Sequence, residues 1–271
     1  MDYRIIDADS HVNEPADVWQ ARVPAALRER APKMLEIEGG KIGWSFEDGA
    51  RVHRVNTACA GVDETAYTAN GVRWEDIRPG SYDPKARLVD MDIDMIQAQV
   101  LYPSLAPQPQ MFGADPELQN ACVRAYNDWI HEFASHAPDR FVAMPMAPAT
   151  GLDDVLAEWR RIADRGDRGY VISGHPSGAA IPTEEDDRFW AEVEHWDHAV
   201  HIHFGFTSGV ALSAPSGVGY LSSAALIDMG IGMYRPLADL VHSGVFERFP
   251  KTRIVLVEAG IGWLPYFCHH L

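Results

Sequence analysis

The sequence predicts an α/β protein of the TIM-type (β/α)-barrel class, and three observations predict it. Short apolar runs alternate with longer amphipathic helical patterns. The apolar runs are continuous rather than alternating. No glycine-rich phosphate loop follows the first of them. Continuous runs are the mark of strands buried on both faces, which implies a parallel sheet covered by helices. The missing glycine fingerprint weakens an open dinucleotide-binding sheet, so the closed barrel leads.

Six segments read as strands: residues 4–8, 98–102, 141–147, 170–173, 200–204 and 253–258. The helices between them carry readable ends. Asp83-Pro84 sets a capping side chain before a proline at the first helical position, after which Leu88, Met91 and Met95 fall on one face. Asp115-Pro116 repeats the device ahead of the stripe Leu118, Cys122, Ala125, Trp129 and Phe133. Residues 152–164 form a further helix stopped by Gly166, and 188–198 and 236–249 form two more. Residues 19–82 are too long for an ordinary connection. Within them, 35–38 and 41–44 flank Gly39-Gly40, a hairpin signal. The expectation is one barrel domain over 1–271, with 19–82 inserted after the first strand as a lid beside the pocket, since barrel sites lie at the C-terminal ends of the strands.

The 39 acidic against 23 basic side chains give a net charge of -16. Such a field repels phosphate backbones and anionic lipid, which disfavours nucleic-acid and membrane-surface partners and favours a small-molecule enzyme. Cys59, Cys122 and Cys268 have neither zinc-site spacing nor an even count for a disulfide framework, which fits a reducing compartment. The N-terminus lacks a basic-then-apolar signal pattern. Residues 208–227 are uncharged, but Pro215 and the many glycines and serines favour a loop leading into a short helix. A cytoplasmic location follows.

The chemistry gathers at strand ends. Asp9 and His11 are two apart and should share a face, where a carboxylate beside an imidazole suits a divalent ion. The bland reading is a pair of polar strand-end residues. His201 and His203 repeat the spacing on the fifth strand, with His203 nearer the mouth; two hydrogen-bonded core histidines are the alternative. Glu258 ends the sixth strand, where it could ligate a metal, orient water or handle a proton, or instead cap the glycine-rich turn that follows. His175, on a tight turn, either lines the pocket or caps that turn.

These residues and their neighbours resemble the amidohydrolase-related family, in the branch of aminocarboxymuconate-semialdehyde decarboxylase and γ-resorcylate decarboxylase. The resemblance rests on I-D-A-D-S-H-V-N-E-P at 6–15 and S-G-V-F-E-R-F-P at 243–250, running into 254–258. It implies a metal pair on Asp9 and His11, a further ligand in His203, a divalent Zn²⁺ or Mn²⁺, and Glu258 in the place of the family's catalytic histidine. It also implies a small carboxylated substrate and a homo-oligomer; His175 and His201 are separately expected to contact the substrate. Two departures stand out. Carboxylates at 9 and 258 replace nitrogen donors and favour harder metals. The family's final aspartate, after an eighth strand, has no counterpart in the few residues beyond Glu258, so the barrel is expected to stop after about its sixth strand. Non-oxidative decarboxylation leads, metal-dependent hydrolysis is its rival, and a degenerate ligand-binding barrel stands outside both. An NAD-dependent oxidoreductase is disfavoured by the missing fingerprint.

Overall fold

The first strand, β1 (Ile5–Val12), pairs in parallel with a strand more than eighty residues later, so the chain between them is a crossover with structure of its own. The computed structural model describes residues 5–46, 51–55, 58–63, 65, 70–104, 109–203 and 232–271. The chain divides into two compact units, Met1–Leu105 with Pro109–Pro145, and Ala106–Gln108 with Met146–Leu271.

In the first unit β1 is followed by α1 (Val18–Arg22), β2 (Lys33–Ile37), β3 (Lys41–Phe46), β4 (Arg51–Arg54), α2 (Pro84–Ile93), β5 (Ile96–Pro103), α3 (Pro116–Ser135) and β6 (Phe141–Ala143). Strands β1, β5 and β6 form a parallel sheet in that order, and β2, β3 and β4 form an antiparallel one. The hairpin signal at Gly39-Gly40 is met: Ile37 pairs with Lys41, and both glycines take positive φ (78° and 73°) to turn the chain. Strand β4 is not among the expected strands and adds a third member; Asp48-Gly49 ahead of it is a hairpin signal that could have announced it.

Both aspartate caps form as expected. Asp83 accepts hydrogen bonds from the amides of Lys85 and Ala86, and Asp115 accepts from that of Glu117. They satisfy donors that the helix itself leaves open. The stripe of α3 is buried throughout. Trp19 of α1 meets Trp44 of β3 edge-on at 4.6 Å and donates its indole N–H to the carbonyl of Cys122 at 3.1 Å. Trp19 thus links β3 of the small sheet to α3.

The second unit runs α4 (Leu152–Asp164), β7 (Gly169–Ile172), α5 (Asp187–Trp196), β8 (Ala199–Ile202), α6 (Tyr234–His242), α7 (Val245–Arg248), β9 (Arg253–Leu256) and α8 (Leu264–His270). Strands β7, β8 and β9 are parallel and in step, with Tyr170 beside Val200 and Val200 beside Ile254. Tyr170, Ile172, Val200 and Ile202 enter the core with Trp159 of α4 and Phe189 and Trp190 of α5. Successive strand residues face opposite ways, so His201 must project from the other face of this sheet.

Four sequence expectations are corrected. Met95 is not on the buried face of α2: the helix stops at Ile93, and Met95 is 71% exposed with φ 58°. The helix expected over 188–198 ends at Trp196, where Asp197 turns left-handed at φ 52° and lets the chain enter β8. The helix expected over 236–249 is two, because Gly244 adopts φ 71° and closes α6 through its bond to the carbonyl of Val241. The third, fifth and sixth strands end early, at Ala143, Ile202 and Leu256, leaving His203 and Glu258 on the segments that follow the last two. Residues 208–227, read as a loop leading into a helix, lie outside the described residues, as does Phe204. No helix among the described residues is long and apolar enough to cross a membrane.

Candidate functional site

In the first unit the sheet presents Asp9 and His11 through an irregularity of β1. Asp7 pairs with Gln99 and Ser10 with Leu101, so Ala8 and Asp9 together oppose the single residue Val100. This is a β-bulge, the device by which strands re-aim side chains near sites. Strict alternation would put Asp7, Asp9 and His11 on one face. With the extra residue, Asp7 shares the face of Gln99, while His11 pairs with Tyr102 on the other. Asp9 and His11 stay together: Nε2 of His11 is 3.5 Å from Oδ1 of Asp9.

His11 Nδ1 lies 2.8 Å from the carbonyl oxygen of Pro103. A carbonyl only accepts, so Nδ1 carries the proton and a neutral ring holds its lone pair at Nε2, facing Asp9. Metal-binding histidines are fixed in this manner by a donor bond from their second nitrogen. Ligand bonds of about 2.0–2.2 Å let an imidazole nitrogen and a carboxylate oxygen at such a separation reach one ion. The donor set fits a divalent cation.

Behind this pair sits a buried acid. Glu14, 2% exposed, accepts from both the amide and the hydroxyl of Ser104. Burial raises its pKa, against the pull of the Ser104 bonds and of the nearby His11. Burial, with the charge of Asp9 adding, also raises that of Tyr102. A cavity of about 650 Å³ opens beside Asp9 and His11 and is lined also by Cys59, Arg78, Arg87 and Ser104.

In the second unit His201 and His203 are buried, at 7% and 2% exposure. Burial pushes the His201 imidazole down to about 4, and the neighbouring His203 adds to the effect. His201 is therefore neutral across the physiological range. Glu258 is exposed and follows β9 on a turn, in the left-handed region at φ 58°. That conformation costs a side-chain-bearing residue roughly 1–2 kcal/mol. The amide of Val257 bonds the carbonyl of Ile202 at 2.9 Å, so the two strand ends remain joined just short of His203 and Glu258. A ligating atom of each lies within 4.8 Å of the other.

His175 is buried on the turn closed by the bond from Gly178 N to its carbonyl. Burial lowers its pKa, and Asp186 and Asp239 oppose the shift. Asp186, fully buried, was not singled out from sequence. It accepts from Ser177 N at 2.7 Å, Ser177 Oγ at 3.0 Å and Thr183 N at 2.8 Å, and so fixes the loop that carries His175. The T-x-x-D spacing of Thr183 and Asp186 is a capping-box signal that could have found it.

Known proteins place these features in a family. A γ-resorcylate decarboxylase of Rhodococcus jostii is 27% identical over 217 residues, which cover 74% of this chain and 64% of that protein. The match thus spans less than two thirds of the relative's length. The crystal structure of an amidohydrolase from Mycobacterium avium subsp. paratuberculosis superposes with a TM-score of 0.76 at 21% identity, covering 100% of this chain and 74% of the other. A 5-carboxyvanillate decarboxylase from Novosphingobium aromaticivorans, crystallised with bound manganese, gives 0.61 at 19% identity, with 99% and 69% covered. At such identities the likeness speaks for the fold, an α/β fold of the TIM-barrel type. The family model described as amidohydrolase matches residues 6–271, nearly the whole sequence, and the chain belongs to that family.

Proposed function

We propose that Asp9, His11 and His203 hold one divalent cation, Mn²⁺ or Zn²⁺, and that Glu258 is the catalytic acid in the non-oxidative decarboxylation of a small carboxylated organic substrate. The observation that carries this reading is the Asp9–His11 pair, with Nδ1 committed to Pro103 and Nε2 turned toward the carboxylate. When bound, the cation supplies positive charge to hold the substrate carboxylate and a neighbouring oxygen. The bond from carbon to CO₂ breaks, its electron pair stays on the substrate carbon, and Glu258 delivers the proton that this carbon takes up. His201, kept neutral by burial, and His175 contact the substrate. Ala58 to Gly61, with Arg78, Gly80 and Ser81, border the cavity beside Asp9 and His11, which supports reading 19–82 as a lid.

Hydrolysis is the second reading, and the family's own description as amidohydrolase favours it. Glu258 then orients a water for attack on a carbonyl. A panel of aromatic and unsaturated carboxylic acids, incubated with Mn²⁺ or Zn²⁺, separates the two. Release of CO₂ supports decarboxylation, and release of acid without CO₂ supports hydrolysis. Activity that survives complete chelation overturns the metal in both.

A further inference from the structure

We infer that Gln99 and Asp7 are positioning residues: a hydrogen-bond chain of forced polarity, Arg87 to Gln99 to Asp7, braces the bulge that turns Asp9 toward His11. The inference rests on the metal reading proposed above and extends it to side chains that touch neither metal nor substrate.

The chain begins at Arg87 of α2. Its Nε donates to Oε1 of Gln99 at 2.8 Å, and its Nη1 donates to the carbonyls of His11 at 2.9 Å and Gly80 at 3.2 Å. A guanidinium only donates, so the Gln99 amide can be placed one way alone, with its oxygen toward Arg87. Its nitrogen must then donate in turn, and Nε2 reaches Oδ2 of Asp7 at 3.0 Å. An ionised carboxylate only accepts. Asp7 takes the hydroxyl of Ser10 on Oδ2 and the amide of Asp9 on Oδ1 at 3.2 Å. Each link thus dictates the polarity of the next.

The path has a geometric consequence. Asp7 and Ser10 are the residues that flank the bulge, and one carboxylate ties them together. Asp9 lies inside the bulge and is held by its backbone amide, while the carbonyl of His11 is held by Arg87. Both members of the proposed metal pair are therefore gripped by their main chain from the side of Gln99, which is 6% exposed. Bulges lose ladder bonds and bend the strand, so one that must aim a ligand needs outside support. Supporting hydrogen bonds around metal ligands typically govern 10- to 100-fold in affinity.

The test uses polarity. Asp7→Asn offers one acceptor where two are needed, and so sets a donor against either the Gln99 amide or the backbone amide of Asp9, while Gln99→Glu sets an acceptor against Asp7. The double variant Asp7→Asn/Gln99→Glu restores a matched chain. Its introduced carboxylate accepts from Arg87 and from the introduced amide, whose oxygen still accepts from the backbone of Asp9. Mn²⁺ affinity is followed by the electron paramagnetic resonance signal of the free ion, and thermal unfolding of each metal-free variant is measured alongside. The expected result is about 10- to 100-fold weaker Mn²⁺ binding in each single variant, with at least tenfold recovered in the double variant. Single variants that bind as tightly as the parent, or a double variant no better than the worse single one, overturn the inference. His11→Ala is the control. If it leaves Mn²⁺ binding intact, the metal reading fails and this inference falls with it. If it abolishes binding while the Asp7 and Gln99 variants bind normally, only the positioning role falls. Gln99→Met, which keeps volume and loses both bonds, is the reserve should Gln99→Glu unfold, and the same weakening is expected of it.

Discussion

The imidazole of His11 is fixed by a main-chain group of the neighbouring strand: Nδ1 donates to the carbonyl oxygen of Pro103 at 2.8 Å. Because that partner is backbone, it survives any change of side chain at 103, and the tautomer at 11 is a property of the β1–β5 register rather than of one residue. His11→Ala and His203→Ala are each expected to lose at least 100-fold in Mn²⁺ affinity with the fold retained. Metal content after purification without chelators, together with circular dichroism, checks this. Full metal content in either variant would remove that residue from the ligand set.

Glu258 carries two separable burdens. Its side chain is assigned the proton, and its backbone bears a left-handed φ of 58°. Glu258→Gln should keep metal and lose turnover by about 10²- to 10⁴-fold, the usual span for general acid–base groups. Loss of metal in that variant would reassign Glu258 as a ligand. Glu258→Gly should also be inactive, yet more stable than Glu258→Ala by about 1 kcal/mol, because glycine occupies this region without the steric penalty. Chemical denaturation of the two variants gives the comparison.

What the sequence made legible was local. The aspartate–proline caps at 83 and 115, the α3 stripe and the Gly39-Gly40 hairpin are all fixed by neighbours a few residues away. The bulge at Ala8–Asp9 left no such trace, since D-x-D-x-H reads as simple alternation until the partner strand supplies the register. Glu14 was unreadable for a similar reason: its partner Ser104 is 90 residues distant, and a glutamate before a proline carries no sign that it will be buried. The periodicity that includes Met95 misleads because Asp94 already ends the helix.

His198 gives the second unit a pH dependence unconnected with any metal. Its ring packs against Trp159 and Trp196 at centroid distances of 5.5 and 6.3 Å. Burial lowers its pKa below the ordinary 6.5, with Asp167 and Asp197 opposing. The unfolded chain then binds a proton at higher pH than the folded one. The stability this contributes is complete above about 6.5 and is lost as pH falls through the depressed folded value. Metal-free protein should therefore weaken on acidification below about pH 6.5, a slope that His175 and His201 share, and His198→Phe, which keeps an aromatic ring beside the two tryptophans, should reduce it. Urea midpoints measured between pH 4 and pH 7.5 test it. An unchanged slope in His198→Phe would assign the dependence to other groups.

Glu14 ties together the segments that follow β1 and β5, three residues past His11 and one past Pro103, since Ser104 gives it both its amide and its hydroxyl. Removing the acceptor strands two part-buried donors, whereas an amide in its place still accepts from the Ser104 amide. Glu14→Leu should therefore cost about 1–3 kcal/mol, the penalty for donors left unsatisfied. Glu14→Gln should cost much less, because it also removes a charge that burial disfavours. The two variants differ little in size, so a shared loss of stability would point to packing, while the expected gap points to hydrogen bonding. If the tie also sets the carbonyl of Pro103, Glu14→Leu will weaken Mn²⁺ binding more than Glu14→Gln does, and equal affinities would confine Glu14 to holding the fold.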